Sequence, residues 1–107
     1  MTDLKINGLE WKFFLVDGND PKLADDNGGE PAYGITYFRD CEIYVDRTLQ
    51  KPLVSKTITH EFVHAVAFSY GVDLDSLQEE EICDFVGAHF DELLKLRNTI
   101  YSAPDAP

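Results

Sequence analysis

Apolar residues are distributed differently in the two halves of the chain. In the first half they form short runs or alternate with polar residues; in the second they recur at helical spacing. The run LEWKFFLV, from Leu9 to Val16, is rich in aromatic and branched side chains and predicts a strand. AYGITY (Ala32 to Tyr37) and CEIYVD (Cys41 to Asp46) alternate like the arms of a hairpin, with Phe38, Arg39 and Asp40 at its turn. Between strand and hairpin lies DGNDPKLADDNGGEP, residues 17–31, dense in Gly, Asp, Asn and Pro. Such a segment predicts a long, flexible acidic loop beside a cleft. It lacks the ordered ligand alternation and closing Glu of a calcium loop.

Helical periodicity begins near Lys51, with Pro52 suited to an opening turn, and runs through LVSKTITHEFVHAVAFSY to a stop at Gly71. A second helix is expected from a capping pair, Ser76 and Glu79, to about Asn98. The tail SAPDAP, residues 102–107, is expected to fray. The whole chain, 1–107, therefore reads as a single α+β domain: a small sheet of about three strands, antiparallel in part, followed by two long helices on one face. The first eight residues carry no signal-peptide pattern, and no apolar run approaches membrane-spanning length.

Charge narrows the partners. The formal net charge of -11 disfavours nucleic acid and anionic membranes, and favours metal ions and cationic segments. Two cysteines, Cys41 and Cys83, are too few for a disulfide framework and have no zinc-type spacing. Both are read as reduced, partly buried thiols in a cytoplasmic protein.

The chemistry concentrates in His60-Glu61-Phe62-Val63-His64, an HExxH pattern within the first predicted helix. Residues four apart lie one turn apart on one face, so both imidazoles can reach one metal ion. Glu61 is then turned toward a water molecule, as general base. Zinc lowers the pKa of its water to about 7, which suits hydrolysis at neutral pH. Two of the chain's three histidines fall in this pattern.

A third ligand is sought on the second helix, among Glu79, Glu80, Glu81 and Asp84. A helical wheel puts Ile82, Cys83, Phe85, Val86, His89, Phe90, Leu93 and Leu94 on the apolar arc. Glu81 falls opposite that arc, and Glu79 is assigned to the cap. Glu80, at the arc's edge, is the leading candidate; Asp84 is placed to accept a hydrogen bond from a ligand histidine. The alternative use of this acidic cluster is simply to charge a helix N-terminus favourably. His89 reads as a half-buried core residue. Tyr33, Tyr37, Tyr44 and Tyr70 are candidate oxyanion donors, with Tyr33 favoured because Gly34 leaves room beside it for another backbone.

The order of aromatic strand, loop, YG-containing hairpin, TxxHExxH helix and ExxCD helix resembles the compact gluzincin-like metallopeptidases related to the ImmA/IrrE group. The short phage and prophage versions are the nearest in plan. The resemblance spans about Leu9 to Leu94. It implies His60 and His64 as zinc ligands, Glu61 as catalytic base and Glu80 as third ligand. It also implies substrate addition to a sheet edge around Tyr33 to Thr36. The larger relatives place an alanine after the ligand Glu, in an EAxxFA pattern; matching that pattern selects Glu81 instead.

The expectation is a zinc metalloendopeptidase acting on a protein or peptide. Two alternatives differ in class. One is a non-catalytic, metal-binding phage interaction or anti-defence protein on the same scaffold; the other is an acidic DNA-mimic decoy. Replacing Glu61 by Gln separates catalysis from binding, and competition with DNA tests the decoy.

Overall fold

The computed structural model describes residues 1–24 and 29–107. The chain runs β1 (Thr2–Ile6), β2 (Leu9–Val16), β3 (Gly34–Tyr37), β4 (Glu42–Asp46), α1 (Lys51–Ser69) and α2 (Glu79–Tyr101). Short 3-10 turns occupy Pro21–Leu23 and Leu74–Ser76. The α+β class is as expected, but among the described residues the sheet has four strands rather than about three.

The added strand is β1. Leu4 and Ile6 are buried while Asp3 and Lys5 face water, the period-2 pattern of a half-buried strand. Asn7 and Gly8 both take positive φ (46° and 84°), so β1 and β2 join through a tight Asn-Gly turn. That dipeptide is the signal from which the strand is legible.

The sheet order is β1-β2-β4-β3, with β2 and β4 parallel and the two outer pairs antiparallel. One face carries Leu4, Ile6, Trp11, Phe13, Ile43 and Val45 into a core with Val54, Ile58, Phe62 and Val66 of α1. Trp11 and Phe62 are fully buried; each such side chain contributes about 2–3 kcal/mol of transfer free energy. Helix α2 adds Phe85, Leu93, Leu96 and Ile100 to this core. On the opposite face Phe14 stacks on Tyr44 at 4.6 Å, and the Pro21–Leu23 turn covers that side with Leu23 fully buried. Part of the expected acidic loop is therefore packed structure; Asp25–Gly28 lie outside the described residues.

Helix α1 matches its expected limits. Pro52 stands in its first turn, and Gly71, at φ 72°, ends it. Gly71 N donates to Phe68 O and Val72 N to Ala67 O, a Schellman pair that satisfies the last carbonyls.

Helix α2 departs from expectation in two ways. Its capping box is Gln78 with Glu81, not Ser76 with Glu79, because Leu74–Ser76 is already used in a 3-10 turn that Asp73 caps. Its buried arc is also narrower than the wheel gives. Ile82, Cys83, Phe90 and Leu94 are exposed, since α2 packs chiefly on one neighbour, α1. Cys83 is therefore exposed, while Cys41 is half-buried as read. The C-terminal residues turn back: Asp105 lies 3.7 Å from the Met1 amino group. Among the described residues no helix is long and apolar enough to cross a membrane.

Candidate functional site

The HExxH residues sit on α1 where it passes beneath β3, the edge strand. Glu61 is only 5% exposed. Burying a carboxylate costs several kcal/mol unless hydrogen bonds replace its water. Thr36 supplies one: its hydroxyl donates to Glu61 Oε1 at 2.9 Å. A bond of this charge-assisted kind is worth about 1.5–3 kcal/mol. The other oxygen, Oε2, lies 3.8 Å from His60 Nε2.

Helix and strand approach this closely because residue 34 is glycine. A Cβ there would stand 2.7 Å from Thr57 Cγ2 and 3.1 Å from Glu61 Cγ. The space beside Gly34 is thus filled by α1, which corrects the reading of it as room for another backbone on that face. The open side of β3 is its outer edge. Tyr33 O accepts from Asp46 N, so by antiparallel alternation Gly34 and Thr36 direct their backbone groups outward.

The imidazoles of His60 and His64 are neighbours, with ring centroids 5.0 Å apart. His60 is exposed and His64 half-buried, its ring edge-on to Phe38 at 6.1 Å. His60 and Glu61 line a cleft of about 340 Å³ with Tyr33, Gly34, Lys56 and Thr57. His64 lines a second cleft, of about 560 Å³, on its other side.

The carboxylates of α2 are not brought to this pair. Arg97 Nη1 donates to Ser55 O and Thr59 Oγ1, at 2.9 and 2.7 Å, which fixes α2 against that face of α1. At about 100° per residue, His60 stands roughly 140° round the helix from Ser55, and His64 likewise from Thr59. At the far end Tyr70 donates to Glu92 Oε2 at 3.0 Å, so Glu92 marks the end of α1. Glu80 and Glu81 precede Glu92 by about three turns, roughly 18 Å along the axis. Glu79, Glu80, Glu81 and Asp84 are all exposed, and Glu81 is engaged in the cap, accepting from Gln78 N at 3.0 Å. Among the described residues no three His, Cys, Asp or Glu side chains stand together to hold a metal ion. The donor chemistry of the two imidazoles suits a divalent metal; a third protein ligand is not drawn up to them.

The tyrosines separate clearly. Tyr44 is buried on the far face of the sheet, where burial and its bond to Glu42 push its hydroxyl up to about 12. Tyr37 donates to Lys22 O, and Tyr70 is bound to Glu92, which raises its pKa. Tyr33, largely exposed, borders the cleft of His60 and Glu61. His89 is half-buried between Tyr70 and Phe85, as read. Sequence reasoning placed Thr36 on the substrate edge and Thr57 in the TxxHExxH pattern, but missed the Thr36–Glu61 bond and Lys56. The bond had one signal: Thr36 lies two residues from Gly34, on the same strand face.

Family models, curated proteins and solved structures were compared with the chain, and none matches it.

Proposed function

We propose that the chain is a metal-dependent peptidase in which His60 and His64 bind zinc and Glu61 is the general base. The observation that carries this reading is Glu61 itself: a buried carboxylate, held at one oxygen by Thr36, with the other beside His60. Burying such a group has little structural benefit, because an apolar residue would pack there without desolvation cost. A metal at the imidazoles would supply Lewis acidity for attack of water on a peptide carbonyl. Glu61 Oε2 takes the proton from that water and returns it to the leaving amine. Thr36, by holding Oε1, keeps Oε2 turned toward the imidazole side.

The outward backbone groups of Gly34 and Thr36 bind and orient an extended substrate by strand addition, and Tyr33 borders the path. Completion of the ligand set by Glu80, or by Glu81, requires the first turns of α2 to shift toward α1. The placement of these residues in water favours a second reading, in which the scaffold binds metal and a partner without turnover.

Elemental analysis of the purified chain tests both the ligands and the class. Near one zinc per chain, lost in His60→Ala and weakened in Glu80→Ala or Glu81→Ala, supports the ligand set. Absence of stoichiometric metal after zinc is added back sinks the peptidase reading. Metal retained in Glu61→Gln with no change in function selects the binding reading.

A further inference from the structure

We infer that the cleft beside His64 selects a large apolar side chain flanked by lysine or arginine. This deepens the peptidase reading and depends on it for the fate of the bound peptide, not for its binding. The cleft is lined by Phe38 from the β3–β4 turn, by His64, Ala67 and Phe68 of α1, and by the Gly71–Asp75 connection. Phe38 and Phe68 stand 5.2 Å apart yet remain 40% and 43% exposed, so an apolar floor lies open to water. The cleft's volume, about 560 Å³, lies in the range of sites that enclose small organic groups.

The occupant's charge follows from the rim. Asp73 and Asp75 are both exposed there, and among the described residues no lysine or arginine lines the cleft. Asp73 is fixed in place, since its Oδ1 accepts from Asp75 N at 3.1 Å. The other cleft, across the histidines, is lined by Lys56 and, among the described residues, by no acid except buried Glu61. β3 runs from Gly34 at the Lys56 side to Tyr37, next to Phe38 at the aspartate side. An extended segment along its open edge therefore passes Glu61 and the histidines with its ends in surroundings of opposite charge. The overall charge of -11 adds a field that repels acidic peptides. Cationic flanks fit the aspartate side, and the apolar side chain fills the floor.

The two components have different weights. Burying an aromatic side chain is worth roughly tenfold or more in affinity. Each exposed ion pair is worth about fivefold at most and is screened by salt.

The test is fluorescence anisotropy with the full-length Glu61→Gln chain and three labelled dodecapeptides centred on Lys-Phe-Lys, Glu-Phe-Glu and Lys-Ser-Lys. The Lys-Phe-Lys peptide is expected to bind about tenfold tighter than Lys-Ser-Lys. It is also expected to bind about fivefold tighter than Glu-Phe-Glu, a gap that narrows as salt rises. Asp73→Asn combined with Asp75→Asn narrows the charge gap and leaves the Phe-to-Ser gap. Asn still accepts the turn's hydrogen bond, so the fold is kept. Phe38→Ser does the reverse. Equal binding of the three peptides, no binding at all, or preferences unmoved by both variants overturns the inference. Cleavage by the wild-type chain without preference defeats the cleft but not the peptidase reading. Selective binding with no cleavage, metal supplied, defeats the peptidase reading but not the cleft.

Discussion

Glu61 on α1 is 5% exposed and hydrogen-bonded to a strand, whereas Glu79, Glu80 and Glu81 open α2 in contact with water. All four lie on long helices, and all looked like site candidates by residue type. The acids of α2 gain their stabilisation from the helix N-terminus, about 0.3–1 kcal/mol each, with almost no desolvation. Glu61 has no such terminus nearby; it is seven or more residues from either end of its helix. Its placement depends on Thr36 and on a glycine that lets β3 come close. What distinguishes a site carboxylate here is therefore the neighbouring strand, not the helix that carries it.

The largest effect that would break this contrast is on turnover. Once a cleaved peptide is in hand, Glu61→Gln should lower its rate by about 10²- to 10⁴-fold with the circular dichroism spectrum unchanged. Activity close to wild type removes the reason for treating Glu61 as different in kind from the α2 acids. Next comes Gly34→Val, which drives a branched side chain into Thr57 and Glu61. A loss of about 1–3 kcal/mol in urea unfolding is expected, and an unchanged midpoint would show that β3 does not set the spacing. Thr36→Val removes the donor and leaves Glu61 Oε1 buried without that partner, at a cost of about 1.5–3 kcal/mol in the same measurement.

The smallest effects divide the α2 acids among themselves. Glu81→Ala, which breaks the capping box, should cost about 0.5–1 kcal/mol, while Glu80→Ala should stay within about 0.5 kcal/mol. Thermal unfolding of the metal-free proteins measures both. A larger loss at Glu80 than at Glu81 reverses the assignment of the cap.

The same contrast explains what could be read from the sequence. Helix α1, its limits and its His-Glu-His face were legible because periodicity, Pro52 and Gly71 all act locally. The buried arc of α2 is narrower than expected because a wheel ranks positions by one helix's own apolar arc. It cannot tell which flank meets a neighbour, and Arg97, not the acidic turn, sets that flank. The cap went to Ser76 and Glu79 because that spacing fits; the structure instead uses Asp73 to cap a 3-10 turn first. Thr36 was read as part of the sheet edge and not as the partner of Glu61, because that pairing spans 25 residues of sequence. β1 was missed for a simpler reason, an unread Asn-Gly turn.

The parallel pairing of β2 with β4 has a consequence for the order of assembly. The β1–β2 hairpin and the α1–α2 pair join segments adjacent in sequence, so each forms after a short loop closure. β4 reaches β2 only when the chain from Val16 to Glu42 has closed, and β3 docks beside α1 with it. Distant contacts of this kind are slow steps in folding. A chain caught before that closure would already have the histidines on a formed helix, but Glu61 would still lack Thr36. Recovery of the Thr36–Glu61 bond should therefore trail recovery of helicity in refolding. On this account the molecule gains the geometry of its candidate site last.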